Sequence, residues 1–209
     1  AVFAVIMNFF GTMRGRWGTV LGGGGGDNYA AKFLMLGVVY YFLGSFQGSA
    51  EALRRIQQLT HFNDFVISHS HLTVFGAMVV WVVGGLYYVW PRVTGRQLWS
   101  NRLASWHLWL TIIGFSIMAV GLTAMGFVQG SMLEYQANFV DTVKEMKPWW
   151  VVRSLSGLTM DIGFILMVIN FYKTVREGKA VETEIIETSL WDREAPVRTG
   201  VRGRWIENP

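Results

Sequence analysis

Two histidines separated by one residue, His69 and His71, lie within a long apolar stretch that runs from His61 to Trp90. On an α-helix, residues i and i+2 point about 200° apart, so the two imidazoles would leave opposite sides of the helix. A single metal ion held by both would instead favour the i, i+4 spacing, which places two side chains on one face. The spacing therefore favours two separate cofactors, one on each side of the helix.

Neutral imidazole is a common axial ligand of haem iron. Ionisable residues inside a membrane helix are costly and indicate a function by default. The alternative is that His69 and His71 are buried core histidines whose nitrogens are satisfied by hydrogen bonds. Because both belong to one membrane-length segment, we favour cofactor binding.

Three more polar residues could surround the outer end of such a cofactor site. His61 lies near the membrane surface, and Asp64 lies seven residues before His71, on nearly the same helical face. Arg153 opens the last apolar segment on the same side. Haem is an apolar plate with two carboxylates on one edge, and a guanidinium binds a carboxylate through charge-assisted hydrogen bonds. The alternative for Arg153 is an interfacial side chain that extends towards water.

Two other ionisable residues lie within apolar segments. Asp161 lies mid-way along the last one, where a charge costs about 2.5–3.5 kcal/mol on insertion scales. We expect it to form a hydrogen bond with a neighbouring helix, and the alternative is a role in proton transfer. His107 lies beside Trp106 near the inner end of the fourth segment, where we expect an interfacial or structural role.

The composition is that of an integral membrane protein, with 52% of the 209 residues hydrophobic. The absence of cysteine excludes disulfides, iron–sulfur clusters, thiolate zinc sites and covalent c-type haem attachment. Any metal ion must therefore be held by His, Met or carboxylate side chains. The net charge of +4 comes mostly from loops and the tail, and no basic stripe follows a soluble face. We therefore expect no nucleic-acid partner.

Five apolar segments predict an all-α integral membrane protein surrounded by membrane lipid. They run over Ala1–Phe10, Ala31–Gly48, His61–Trp90, Leu103–Gln129 and Trp149–Tyr172. The first would span only about 15 Å, roughly half of a bilayer core, so we expect a partial helix and a chain that is the C-terminal piece of a longer protein. We divide the chain into a transmembrane haem-binding region, 1–175, and a polar tail, 176–209. The five-glycine run at 22–26 predicts a flexible connection.

The loops at one side of the predicted bundle are purely basic close to the helices. Arg92, Arg96 and Arg102 follow the third segment, and Lys173 and Arg176 follow the fifth, whereas the opposite loops carry mixed charge. The positive-inside rule therefore predicts a cytoplasmic C-terminus and a third helix that begins on the outer side.

Several motifs, in order and spacing, resemble subunit I of the haem–copper oxidase superfamily, and most closely its C family, the cbb-type oxygen reductases. Thr60-His-Phe-Asn-Asp64 followed by Ser-His69-Ser-His71 is similar to that family's His-Tyr-Thr-Asp-Trp…Gly-His-Val-His. The stretch that starts at Tyr87 and ends in Gly-Arg96 resembles its aromatic-Pro-basic-x-x-Gly-Arg connection. Val128-Gln-Gly130 and Lys147-Pro-Trp-Trp-Val-Val-Arg153-Ser-Leu-Ser-Gly157 resemble its last two helices. The resemblance covers about residues 5 to 175.

The resemblance implies a bundle of about five transmembrane helices, the first partial, like the last five of a twelve-helix oxidase subunit. His69 would be the catalytic residue, as proximal ligand of a high-spin b-type haem, and His71 an axial ligand of a low-spin b-type haem. His61, Asp64 and Arg153 would belong to the propionate region. The active-site copper is expected on the missing helices and not on this chain. The implied partners are the remaining helices of subunit I and c-type cytochrome subunits as electron donors, in a bacterial inner membrane.

The function implied by the resemblance is electron transfer from the low-spin to the high-spin haem for the reduction of oxygen to water. One alternative is a nitric oxide reductase, because His-Ser-His71-Leu-Thr-Val-Phe-Gly-Ala is similar to that enzyme's His-Gly-His-Leu-Ala-Phe-Tyr-Gly-Ala. Another is a non-catalytic membrane subunit of a respiratory complex. Gln47-Gly-Ser-Ala-Glu51 departs from the family pattern, which usually has a Glu-Gly-Pro-Met-Met-like run there.

Overall fold

The structure is a computed structural model that describes residues 2–15, 17–18 and 28–180. The predictions for the five-glycine run and for most of the polar tail lie outside the described residues. The described helices are α1 (Val2–Met13), α2 (Tyr29–Glu51), α3 (Arg54–Thr60), α4 (Asp64–His71), α5 (Val80–Thr94), α6 (Asn101–Glu134) and α7 (Phe139–Glu177), with a π-helix over Leu72–Val79 between α4 and α5.

Four helical stretches within the described residues are long and apolar enough to cross a membrane. They are α2, the continuous stretch Asp64–Thr94 formed by α4, the π-helix and α5, then α6 and α7. We call Asp64–Thr94 the third span. The short apolar helix α1, with 12 residues, precedes them. The prediction of an all-α membrane protein with about five apolar helices is confirmed.

The helices α6 and α7 extend beyond the predicted apolar segments at both ends, because a hydropathy criterion stops at the first charged cluster whereas backbone hydrogen bonding continues. Asn138 caps the start of α7, where its side-chain oxygen accepts from the backbone N–H of Val140 at 3.0 Å. The third span begins at Asp64 and not at His61 as predicted. Asn63 caps it by accepting from the Phe65 N–H at 2.9 Å, which leaves His61 in the turn before the helix.

Helix α6 lies at the centre of the bundle and packs against α7 along most of its length and against α4 at one end. The core forms along these contacts, where Phe33, Phe115, Leu122 and Met125 are at most 1% exposed. We call the end where α4 begins the histidine end and the opposite end the Trp90 end. At the histidine end, a Cβ added to Gly126 of α6 would collide with the Phe65 backbone. Close packing through such small residues is characteristic of membrane helices.

The π-helix starts at Leu72, directly after His71, and runs to Val79. Regular α-helix is the default for an apolar membrane segment. π-helical turns are rare in proteins, and those that occur are often found at functional sites. Nothing in the sequence predicts this change of helix type. The π-helix directly follows the histidine pair. Because it has more residues per turn than an α-helix, it changes the directions in which the side chains between His71 and α5 point.

The third span and α7 meet at the Trp90 end, where Trp90 Nε1 donates to the Phe171 carbonyl at 3.2 Å. Tyr87 Oη lies 3.0 Å from Nδ1 of His107, which is completely buried. His107 therefore has the structural role of the two that we predicted and is not at the interface.

Candidate functional site

The imidazole of His69 faces α2. A Cβ added to Gly48 would lie 2.7 Å from Cε1 and 3.2 Å from Nε2 of His69. Real Cβ atoms essentially never lie within 3.0 Å of such a neighbouring atom, so the 2.7 Å distance to Cε1 would force the ring to move. Only glycine therefore lets the His69 ring lie against the α2 backbone.

The imidazole of His71 lies on a different side of α4. Ile67, one turn before it, and Val74, three residues after it, are 41% and 57% exposed, so this flank is open in the described chain. Nδ1 of His71 lies 2.7 Å from the Ile67 carbonyl oxygen. Because a carbonyl oxygen only accepts, Nδ1 must carry the proton and donate, which leaves the Nε2 lone pair free to bind a metal. A hydrogen bond to a backbone carbonyl is the usual arrangement for the second nitrogen of a metal-binding histidine.

His69 and two residues of α2 carry buried polar atoms that the described chain leaves without a hydrogen bond. Nδ1 of His69 and the Oε1 atoms of Gln47 and Glu51 on α2 are buried without a hydrogen-bond partner among the described residues. An unpaired buried polar atom costs about 1–3 kcal/mol. These three atoms, one on α4 and two on α2, therefore have hydrogen-bonding capacity that the described residues do not use.

A hydrogen-bonded polar layer includes Ser68, the residue before His69. Ser68 Oγ lies 2.8 Å from Thr123 Oγ1 and donates to the Ala119 carbonyl at 3.0 Å. Gln47 Nε2 donates to the same Thr123 oxygen at 3.2 Å. Sequence reasoning did not single out this layer, although polar residues inside three apolar segments were a visible signal. It ties α2, α4 and α6 together at the level of His69.

At the histidine end, a cavity of about 440 Å³ lies on the His71 side of α4. Its lining consists of His61, Phe62, Asn63, Asp64, Val66, Ile67 and Gln129. The Asp64 backbone N–H donates to Gln129 Oε1 at 3.1 Å, which joins the start of α4 to α6. Gln57 Nε2 donates to Nδ1 of the exposed His61 at 2.8 Å, so this imidazole accepts from an amide.

Arg153 is exposed on α7 and lies within electrostatic range of Asp64, with no ion pair between them among the described residues. The structure thus brings His61, Asp64 and Arg153 to the same end of the bundle as the open His71 flank. His69 is separate from this group, because it faces α2.

The described residues contain no group of three or more His, Asp and Glu side chains that converge on one point. His69 and His71 would therefore each be a single protein ligand to a metal ion whose other ligands come from a cofactor. A haem needs only one or two protein side chains as iron ligands, so the donors present fit a haem.

The family model described as cytochrome c and quinol oxidase polypeptide I matches residues 1–159. The cbb3-type cytochrome c oxidase subunit CcoN1 of Stutzerimonas stutzeri is 30% identical over 161 residues, which cover 72% of this chain and 34% of that protein. The cytochrome c oxidase subunit 1 of Rhodobacter capsulatus is 31% identical over 152 residues, which cover 69% of this chain and 29% of that protein.

A solved structure shares the fold. It is the cryo-electron microscopy structure of a heme-copper terminal oxidase dimer, with a TM-score of 0.62 and 19% sequence identity. The match covers 75% of this chain and 28% of that chain. The chain thus spans about a third of the length of the relatives that it matches.

Proposed function

Because the chain belongs to the cytochrome c and quinol oxidase polypeptide I family, we propose that it is the haem-bearing C-terminal part of a terminal respiratory oxidase. His69 and His71 would each ligate one b-type haem, on different sides of the third span. When bound, the two haems would supply one-electron transfer and a site for the reduction of oxygen to water. The observation that carries this proposal is the placement of two imidazoles on different sides of one helix, one against Gly48 and one with a free Nε2.

His71 would be the axial ligand of the low-spin haem, through Nε2. Its Nδ1–H is held by the Ile67 carbonyl at 2.7 Å, which sets the tautomer and orients the ring towards the open flank. The π-helix that begins at the next residue supports this role, because such segments are frequent at functional sites.

His69 would be the proximal ligand of the high-spin haem and thus the catalytic residue of this chain. The absence of a side chain at Gly48 gives its ring space, and the hydrogen bonds of Ser68 and Thr123 hold α4 against α6 beside it. The protein contribution is orientation and burial, whereas the redox chemistry belongs to the cofactor.

Arg153, Asp64 and His61 would surround the haem propionates. A guanidinium binds a carboxylate through two parallel hydrogen bonds, and the Arg153 side chain is exposed at the end of the bundle where the His71 flank is open. The electrostatic attraction between Arg153 and Asp64 supports one shared polar region rather than two isolated interfacial residues.

The remaining helices of subunit I would cover the His71 flank and would supply the further residues that hold the low-spin haem. Large apolar side chains on these outer faces, such as Val74 and Val120 at 57% and 69% exposure, require lipid or further helices. The active-site copper would lie on those helices, and c-type cytochrome subunits would donate electrons. The protein is a multi-pass membrane protein, and we assign it to a bacterial inner membrane with the C-terminus in the cytoplasm.

A nitric oxide reductase part is the second candidate, favoured by the Leu-Thr-Val-Phe-Gly-Ala continuation after His71. Both candidates require two haems and differ in the second active-site metal. Metal analysis of the purified complex that contains this chain separates them. Copper supports oxygen reduction, and non-haem iron supports nitric oxide reduction.

The test of the haem assignment is a reduced-minus-oxidised spectrum of the same complex. We expect two b-type signals, of which one shifts when carbon monoxide is added. A complex that contains the chain but shows neither signal would identify it as a non-catalytic membrane subunit.

A further inference from the structure

Asp161 lies half-way along α7 and faces away from the bundle. It is 12 residues after Trp149 and 11 before Tyr172, or about 18 Å and 16 Å along the helix axis at 1.5 Å per residue. Both distances are about half of a bilayer core. The side chain is exposed and has no hydrogen bond or ion pair with any described residue. Its predicted hydrogen bond to a neighbouring helix is therefore not made within this part of the chain.

A carboxylate that faces lipid in the middle of the membrane carries a free-energy penalty. On insertion scales, an aspartate at the helix centre is among the most costly residues to place in a membrane. A hydrogen-bond donor on a neighbouring helix removes much of that penalty, because transmembrane helices associate through such polar contacts. The chemistry of Asp161 thus defines the partner group as a donor at the same membrane depth.

The shape of the helix around Asp161 allows a second helix to approach closely. Trp150, Gly157, Asp161 and Val168 follow the i, i+7, i+11, i+18 pattern and so share one flank of α7. We call them the Asp161 flank. A Cβ added to Gly157 would meet nothing within 4 Å, and Val168 is 61% exposed. Open space beside a glycine, one turn before an unpaired carboxylate, fits a closely packed helix.

We propose that the Asp161 flank binds another transmembrane helix, one that presents a hydrogen-bond-donating side chain to Asp161 near the middle of the membrane. The helix belongs to a part of the assembly outside the described residues. This interface does not depend on haem binding, because it rests on the charge, depth and exposure of Asp161 and on the open space beside Gly157, and none of these involves a proposed haem ligand. It goes beyond the proposed function by identifying one face of α7 as a protein contact rather than a lipid contact.

The experiment is photo-crosslinking in native membranes that contain the whole complex. A photoreactive amino acid is placed at Val168, on the Asp161 flank, or at Leu155, which is 60% exposed and lies about 140° away around α7. Cross-linked products are identified by mass spectrometry. Each position is combined with Asp161→Leu, with Asp161→Asn, or with Thr159→Val as a control that removes a polar group from another flank.

We expect Val168 to cross-link to a transmembrane segment that carries a donor side chain within about one turn of the cross-linked residue. Asp161→Leu should reduce that product at least fivefold, Asp161→Asn should reduce it less, and Thr159→Val should leave it unchanged. Products with lipid alone at Val168, or a protein product that Asp161→Leu leaves unchanged, would overturn the proposal. The haem spectrum of the same membranes is recorded separately, so a failure of the haem assignment and a failure of this interface are distinguishable.

Discussion

The ring of His69 lies against the backbone of Gly48, 21 residues earlier in the chain, so closely that a Cβ at Gly48 would lie 2.7 Å from Cε1 of His69. The contact joins α2 to the third span at the position where we place the high-spin haem. It makes the orientation of the ring dependent on the absence of a side chain on a neighbouring helix.

Gly48→Ala should therefore displace the His69 ring and weaken the ligand-binding haem. Overpacking of a tight contact costs about 1–3 kcal/mol. We expect a reduced carbon monoxide difference spectrum, with the low-spin signal largely retained. The control is Gly85→Ala, since a Cβ there meets nothing within 4 Å. Equal spectra for the two variants would argue against His69 as a ligand that Gly48 positions.

Removal of each central imidazole should affect a different haem. His71→Ala should abolish the low-spin spectrum, because the free Nε2 is lost, and His69→Ala should abolish the ligand-binding haem. Optical spectra of the purified complex with and without carbon monoxide measure both effects. If both signals survive both substitutions, the axial assignment is wrong.

Replacement of Arg153 should lower the haem potentials in a graded manner. A guanidinium stabilises an ionised propionate through a planar fork, whereas lysine keeps the charge and loses the fork. Arg153→Lys should therefore be intermediate and Arg153→Leu worse in a redox titration. Arg54→Leu, a change of an exposed cation at the same end of the bundle, is the control and should have little effect. Potentials unchanged in both Arg153 variants would identify it as an interfacial anchor.

The adjacent tyrosines Tyr87 and Tyr88 should differ sharply in their contribution to stability. Tyr87 Oη is the one hydrogen-bond partner of His107 among the described residues, and Nε2 of this fully buried imidazole already has none. Tyr87→Phe should lower the free energy of unfolding by about 1–3 kcal/mol, because His107 would then be buried without a partner.

Tyr88→Phe is the matched control, since Tyr88 is 53% exposed and its ring can keep its contact with Arg92. Thermal unfolding of the detergent-solubilised complex measures both variants. Similar midpoints for the two would show that the Tyr87–His107 hydrogen bond contributes little.

The features that could be predicted from the sequence are those that depend on a single helix. The length of an apolar run predicts a membrane span, because a helix rises a fixed 1.5 Å per residue. The same regularity predicts different sides of the helix for His69 and His71, which is where the structure has them. The family motif around them was also readable, since its residues are close in sequence.

The features that only the tertiary structure decided depend on residues from different helices. The space for the His69 ring comes from Gly48 on α2, and the burial of His107 comes from its contacts with Tyr87 and Phe164. The turn that contains His61 depends on the cap formed by Asn63, and the π-helix after His71 has no periodicity of its own in the sequence. Hydropathy indicates whether a residue tolerates an apolar environment. Packing between segments that are far apart in the chain decides which flank of each helix is covered. For that reason the open flank of Asp161 became visible only when the helices were assembled.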